Sequence, residues 1–334
     1  MLPALSILDQ STVVSGRTAA DAIQETLALA RLADGLGYRR YWLAEHHNSA
    51  SHAGSAPEIL IAAIAATTRR IRVGSAGIML PHYSALKVAE QFRALEAIAP
   101  GRIDLGLGRA PGSDGRTAHA LNPNAAGAAD HFPAQVRDLL GWLGDGLPEG
   151  HPFRAVRASP EVATRPEAWI LGSSDYGAQV TAFFGLPYCF AHFITDGRGA
   201  AEAIALYRDG FRGEGRPHAA VAVYALAADT EEEARRLFLP RALWRLHRDR
   251  GHFPPLPTLE EAEAHPWTEA ERERVARMES RALIGTAAQV RDGIAALARA
   301  LGADEVAVLT PCHDAAARRR SVTLLAEAFA PAPA

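Results

Sequence analysis

IRVGSAGIMLPHYSALKVAEQFRALEAIAPGRIDLGLGRAPG, residues 71–112, is the stretch on which the fold turns. Residues 71–80 are apolar and short-branched without clean alternation, the pattern of a parallel strand buried on both faces. Pro81 and His82 stop that strand. Ser84 can cap a helix in which Leu86, Val88, Ala89, Phe92, Leu95 and Ile98 recur at helical spacing. Pro100 and Gly101 end the helix, and residues 103–107 form a second strand that opens into Gly108, Arg109, Ala110, Pro111 and Gly112. In strand–helix–strand proteins, ligands sit outside the carboxyl ends of the strands. An arginine there, between glycines that let backbone approach a ligand closely, is a candidate anion clamp.

Outward from this block the same alternation continues. Further strands are expected at residues 5–9, 41–45, 169–172, 188–194, 220–227 and 305–309, making eight, with helices at 18–36, 56–68, 177–185, 200–212 and 287–301 among those between them. Eight such units in 334 residues point to a single (β/α)₈ TIM-barrel domain over residues 1–334, with insertions at the C-terminal mouth; an open doubly wound sheet is the competing fold. The insertions are expected at about 111–165, which carries its own helix near 133–143, and at about 240–283, charged and marked by Pro254, Pro255, Pro257 and Pro266. Either can cover the mouth as a lid or be a solvated excursion. The helix at 56–68 (APEILIAAIAATT) has an apolar surface wider than one core-facing stripe, so a second subunit, and hence a homodimer, is expected against it.

Composition narrows the function. The chain is 48% hydrophobic and 22% charged, which suits a globular protein that needs no disulfide or metal staple at this length. A net charge of -3, with basic pairs unaccompanied by aromatics, argues against nucleic acid. Cys189 and Cys312 form neither a metal pattern nor a disulfide framework, which suits a reducing compartment. The N-terminus enters a strand with no basic, apolar leader, and no long apolar run follows, so a cytoplasmic protein without membrane contact is expected.

Three strand ends can carry chemistry. The second strand runs into Glu45, His46 and His47, and alternation points His46 to one side and its two neighbours to the other. A histidine facing the mouth has the pKa for proton transfer near neutrality; one merely hydrogen-bonded at a strand end is the plain alternative. A metal, with His52 and His82 as further ligands, is disfavoured because no second ligand pair or carboxylate-rich strand end follows. The fifth strand leads into Gly172, Ser173, Ser174 and Asp175, where free N–H groups at a helix start bind phosphate by geometry and dipole. A plain Ser/Asp cap is the alternative, but Arg109 one strand away favours an anion site. Gly106 and Gly108 lack the third glycine of a dinucleotide fingerprint, and Ser173 is not framed as a hydrolase nucleophile.

Taken in order, LSILDQS, YRRYWLAEHHN, the block ending PGRIDLGLGRAPGSD, ILGSSDYGAQ, GLPYCFAHF and LIGTAAQV make the chain similar over nearly its whole length to the bacterial-luciferase-like flavin-dependent monooxygenases, in their single-chain bacterial branch. The resemblance implies a barrel that binds FMN at the strand C-termini, with the ring against a non-prolyl cis peptide matching Ala76-Gly77. It makes Arg109 and Ser173 phosphate ligands, with Ser174 and Tyr176 in the same loop, and His46 the active-site acid/base. Where light-emitting members carry a reactive cysteine this chain has Gly108, so light emission is not implied. The implied reaction is oxygenation of a small organic substrate by O2 and reduced FMN supplied by a separate NAD(P)H:flavin reductase. Hydride transfer with a deazaflavin, or flavin binding without catalysis, are the alternatives.

Overall fold

The computed structural model describes residues 2–144 and 146–330. Nine strands alternate with helices: β1 (Ala4–Asp9), β2 (Arg40–Leu43), β3 (Arg72–Met79), β4 (Ile103–Gly108), β5 (Glu167–Gly172), β6 (Tyr188–Phe190), β7 (Ala219–Ala228), β8 (Leu283–Thr286) and β9 (Glu305–Leu309). All ladders between them are parallel. β1 to β7 pair in sequence except that β7 bypasses β8 to pair with β9, and β9 returns to β1. Eight strands therefore close a (β/α)₈ barrel with no free edge, which removes the open sheet as an alternative.

Two elements differ from the sequence expectation. β6 stops at Phe190, and His192–Thr195 is a helical turn rather than more strand. A short apolar run does not distinguish the two, and the ladder ends at Phe190 because its partner β5 ends opposite it at Gly172. β8 has no counterpart among the eight expected strands. It is four residues long and lies outside the barrel, pairing only with the upper part of β7.

The barrel interior follows the two-residue period of the strands. At its floor Arg40 is fully buried, bonded to Asp104 at 2.9 Å, Glu305 at 3.1 Å and Glu167 at 2.9 Å, and packed over the Trp169 ring at 4.7 Å. Trp42 donates its indole N–H to the same Asp104. Above this layer Leu8, Trp42, Trp169, Cys189, Ala222 and Ala307 fill the centre.

β3 and β4 approach each other unusually closely. A Cβ on Gly106 would sit 2.1 Å from the Ser75 carbonyl oxygen, and one on Gly77 would sit 2.7 Å from that of Gly106. The register shifts between Ser75 and Ile78, and the Ala76-Gly77 peptide within the shift is cis.

The outer ring buries helix faces such as Leu29, Ala30 and Ala33, Val88, Ala89 and Phe92, and Val290 and Ile294 against the strands. Helix Phe132–Leu143 packs against helix Ala85–Ile98. Beyond β7, helices Glu231–Asp249, Leu259–Ala264 and Glu269–Glu279 make an excursion. Leu256 bridges to Val14, and Ser51 donates to the carbonyl of Pro254 at 2.7 Å, so the excursion is tied to the loops after β1 and β2. Among the described residues no helix is long and apolar enough to cross a membrane.

Candidate active site at the barrel mouth

The carboxyl ends of β2, β3, β4 and β5 assemble the site. β2 ends at Leu43; Trp42 and Ala44 pack into the barrel interior, and His46 lies three residues past the strand. Glu45 is buried, and its carboxylate accepts from the Met79 N–H at 3.0 Å and the Tyr83 hydroxyl at 2.7 Å and pairs with the His47 ring at 2.7 Å. These bonds fasten the ends of β2 and β3 together, so Glu45 and His47 position the loop.

His46 is held differently. Its ring stacks on His52 at 4.3 Å, and His52 meets Trp244 of the excursion edge-on at 5.9 Å. Burial, with the nearby His47 adding to it, holds the His46 pKa down to about 4. Burial and His46 hold His52 down to about 3. Both rings are therefore neutral at pH 7. The His46 Nδ1 is buried without a hydrogen-bond partner. An unpartnered buried ring nitrogen costs stability unless a ligand or water meets it, which marks His46 as a group awaiting a partner.

Across the mouth, Arg109 follows β4 and its guanidinium stacks over the Tyr176 ring at 4.2 Å. Tyr176 lies in the first turn of helix Asp175–Phe184, directly after Ser173 and Ser174. Ser174 is the N-cap, with extended backbone, but makes no side-chain cap hydrogen bond. Of the expected Ser/Asp cap, the serine takes the position but bonds no N–H with its side chain, and Asp175 is already the first helical residue. Helices starting after Thr18, Ser84, Asp114, Thr230 and Thr286 all carry a side-chain acceptor on their N–H groups. This helix start carries no side-chain acceptor on its first N–H groups, and the Arg109 guanidinium lies against its first turn.

The structure thus brings Ala76, Gly77, Arg109, Ser173, Ser174 and Tyr176 together on one side of the mouth, with His46 beyond the end of β2. The arrangement fits a flat group with a phosphate tail. The uncapped helix and Arg109 suit phosphate, and the orphaned His46 nitrogen suits a polar edge. Sequence reasoning did not single out Tyr83, which joins Glu45 through an aromatic hydroxyl, or the arginines of helix Glu231–Asp249. Arg241, Arg245 and Arg248 were legible as one helical face from their i, i+4, i+7 spacing.

The family model of luciferase-like monooxygenases matches residues 5–305. A Bacillus subtilis (strain 168) protein, YwcH, itself uncharacterized, is 44% identical over 330 residues, covering 98% of this chain and 99% of its own. The N-acetyl-S-alkylcysteine monooxygenase of the same strain is 37% identical over 330 residues, with 97% of each chain covered. Among solved structures, apo-MsnO8 superposes with a TM-score of 0.86 at 38% identity over 98% of each chain. The oxygenating constituent of 3,6-diketocamphane monooxygenase, in complex with FMN, and an F420-dependent secondary alcohol dehydrogenase share the fold at 20% and 13% identity, with TM-scores of 0.73 and 0.62.

Proposed function

The chain belongs to the luciferase-like monooxygenase family, and from that premise we propose that it is an FMN-dependent monooxygenase that uses reduced flavin and O2 to oxygenate a small organic substrate. One observation carries the cofactor assignment: Arg109 stacked on Tyr176 beside a serine-led helix start that no side chain caps. Arg109, Ser173, Ser174 and the N–H groups of helix Asp175–Phe184 would hold the phosphate, each charge-assisted bond contributing roughly 1.5 to 3 kcal/mol. The Ala76-Gly77 backbone would face the ring. Bound flavin supplies the activation of oxygen, and the protein supplies position and a dry site. His46, neutral and with Nδ1 free, is the residue to hold or move a proton at the reacting centre.

The reading extends to partners. A separate NAD(P)H:flavin reductase would supply the reduced flavin, and the buried, separate thiols Cys189 and Cys312 suit the reducing cytoplasm. Residues 1–334 would form one domain, with 111–165 and 240–283 as the mouth insertions. Ile59, exposed on helix Pro57–Thr67, supports a homodimer through that face.

The test is a flavin titration coupled to oxygen uptake. Wild-type protein should bind FMN, and with reduced FMN it should consume oxygen in a substrate-dependent way. Arg109→Ala should weaken FMN binding about tenfold or more, and His46→Ala should keep FMN while losing product. FMN affinity unaltered by Arg109→Ala would remove the phosphate clamp. Turnover with a reduced deazaflavin and no oxygen uptake would replace the reaction with hydride transfer, while tight FMN binding without any turnover would make the protein a flavin carrier.

A further inference from the structure

On the side of the mouth away from Arg109, helix Glu231–Asp249 closes a cavity with about 50 Å³ of free internal space. Gln10, His52, Phe193, Arg241, Trp244 and Leu309 are among its walls. That space admits a small polar group together with water. His52 is the ring stacked on His46, so the cavity lies one imidazole from the proposed proton-handling residue.

Its charges do not balance. Arg245, 7% exposed, pairs with Asp196 at 3.2 Å and donates to the Phe193 carbonyl. Arg248 pairs with Asp249 at 3.4 Å. Arg241, 9% exposed, has neither a carboxylate partner nor a hydrogen bond among the described residues, and its guanidinium lies over the Tyr224 ring at 3.8 Å. Burial lowers its pKa to about 10, so it stays charged at neutral pH. Asp196, the carboxylate whose field raises its pKa, is already engaged by Arg245. A buried cation without a counter-ion is costly, and a cation–π contact offsets only part of that cost. A guanidinium left unpaired on a cavity wall, with an apolar remainder of Phe193, Trp244, Leu256 and Leu309, is built for an anion.

We propose that this cavity is the substrate's carboxylate subsite, with Arg241 as the principal ligand and Arg245 beside it, so that the enzyme acts on a small organic acid. One unmatched positive charge selects a monoanion over phosphate, and the planar fork of arginine matches a carboxylate with two parallel bonds. The acid group held here directs the rest of the molecule past His52 toward the mouth. The inference rests on the oxygenase reading for the word substrate, but the anion site stands on the cavity and Arg241 alone.

Calorimetric titration with butanoate, butanamide and inorganic phosphate, with and without saturating FMN, tests it. Butanoate should bind saturably and about tenfold or more tighter than either other probe. Arg241→Met should abolish that preference and Arg241→Lys restore part of it, with thermal melting confirming that both variants are folded. FMN affinity should not change in either, and Arg109→Ala should leave butanoate binding intact. Equal binding of acid and amide overturns the subsite. So does butanoate binding undiminished in Arg241→Met, a preference for phosphate, or loss of butanoate in Arg109→Ala. Failure of FMN to bind would instead strike the oxygenase reading and leave the butanoate result standing.

Discussion

At the scale of the residue, the two stacked imidazoles carry a pH signature. His46 and His52 are held by burial to about 4 and about 3, against an ordinary value near 6.5. As pH falls through about 6.5 the unfolded chain takes up two protons that the folded chain refuses until near those lower values. Their contribution to stability is therefore complete above that pH and is lost as pH falls toward the folded values. The slope is up to about 1.4 kcal/mol per pH unit for each ring. Urea midpoints measured from pH 7.5 to 4.5 should fall for the wild type and fall less for a His46→Gln, His52→Gln double variant. Parallel curves would mean that the rings are not held neutral by the fold. Arg241 and Arg109 make the complementary point: two guanidiniums, each over a tyrosine ring, face the mouth from opposite sides.

Among the elements, the β3–β4 pair is the most constrained. Gly106 faces Ser75 so closely that a Cβ would sit 2.1 Å from the Ser75 carbonyl oxygen, backbone that cannot give way as the nearby Leu171 side chain can. Gly106→Ala should therefore force the strands apart and cost several kcal/mol, with a large drop in melting temperature and loss of FMN binding. Gly108→Ala meets the flexible Met79 side chain at 3.0 Å and backbone only at 3.8 Å, and should be tolerated. Equal stability of the two variants would sink the account. Helix Asp175–Phe184 shows the converse economy, since its uncapped start sacrifices some stability at the position where an anion can recover it.

For the whole molecule, closure of the barrel places a charged floor below and the functional groups above. Arg40 joins three acids from β4, β5 and β9, so the floor links strands distant in sequence. Outside the barrel, Ile59 is 66% exposed on a helix that buries Leu60, Ile61 and Ile64 on its other face. Should that face be the subunit contact, Ile59→Glu should give a folded monomer where the wild type sediments as a dimer. A wild type that is already monomeric, or a variant that stays dimeric, would reject the homodimer.

Residues 71–112 and the repeated strand–helix alternation determined the barrel, because buried parallel strands and one-faced helices write their periods directly into the order of residues. The same order placed Arg109, Ser173, Ser174, Tyr176 and His46 at strand ends, where such a barrel gathers its chemistry. Only tertiary structure decided that β8 pairs on the outside, that Ser174 rather than Asp175 occupies the cap position, and that Arg241 goes unpaired. Each of those depends on what lies opposite a residue in space: a ladder partner, the angle at which a helix starts, and whether the nearest acid has been taken by Arg245. The ladder partner and the ion pair join positions tens of residues apart, and no local pattern encodes them.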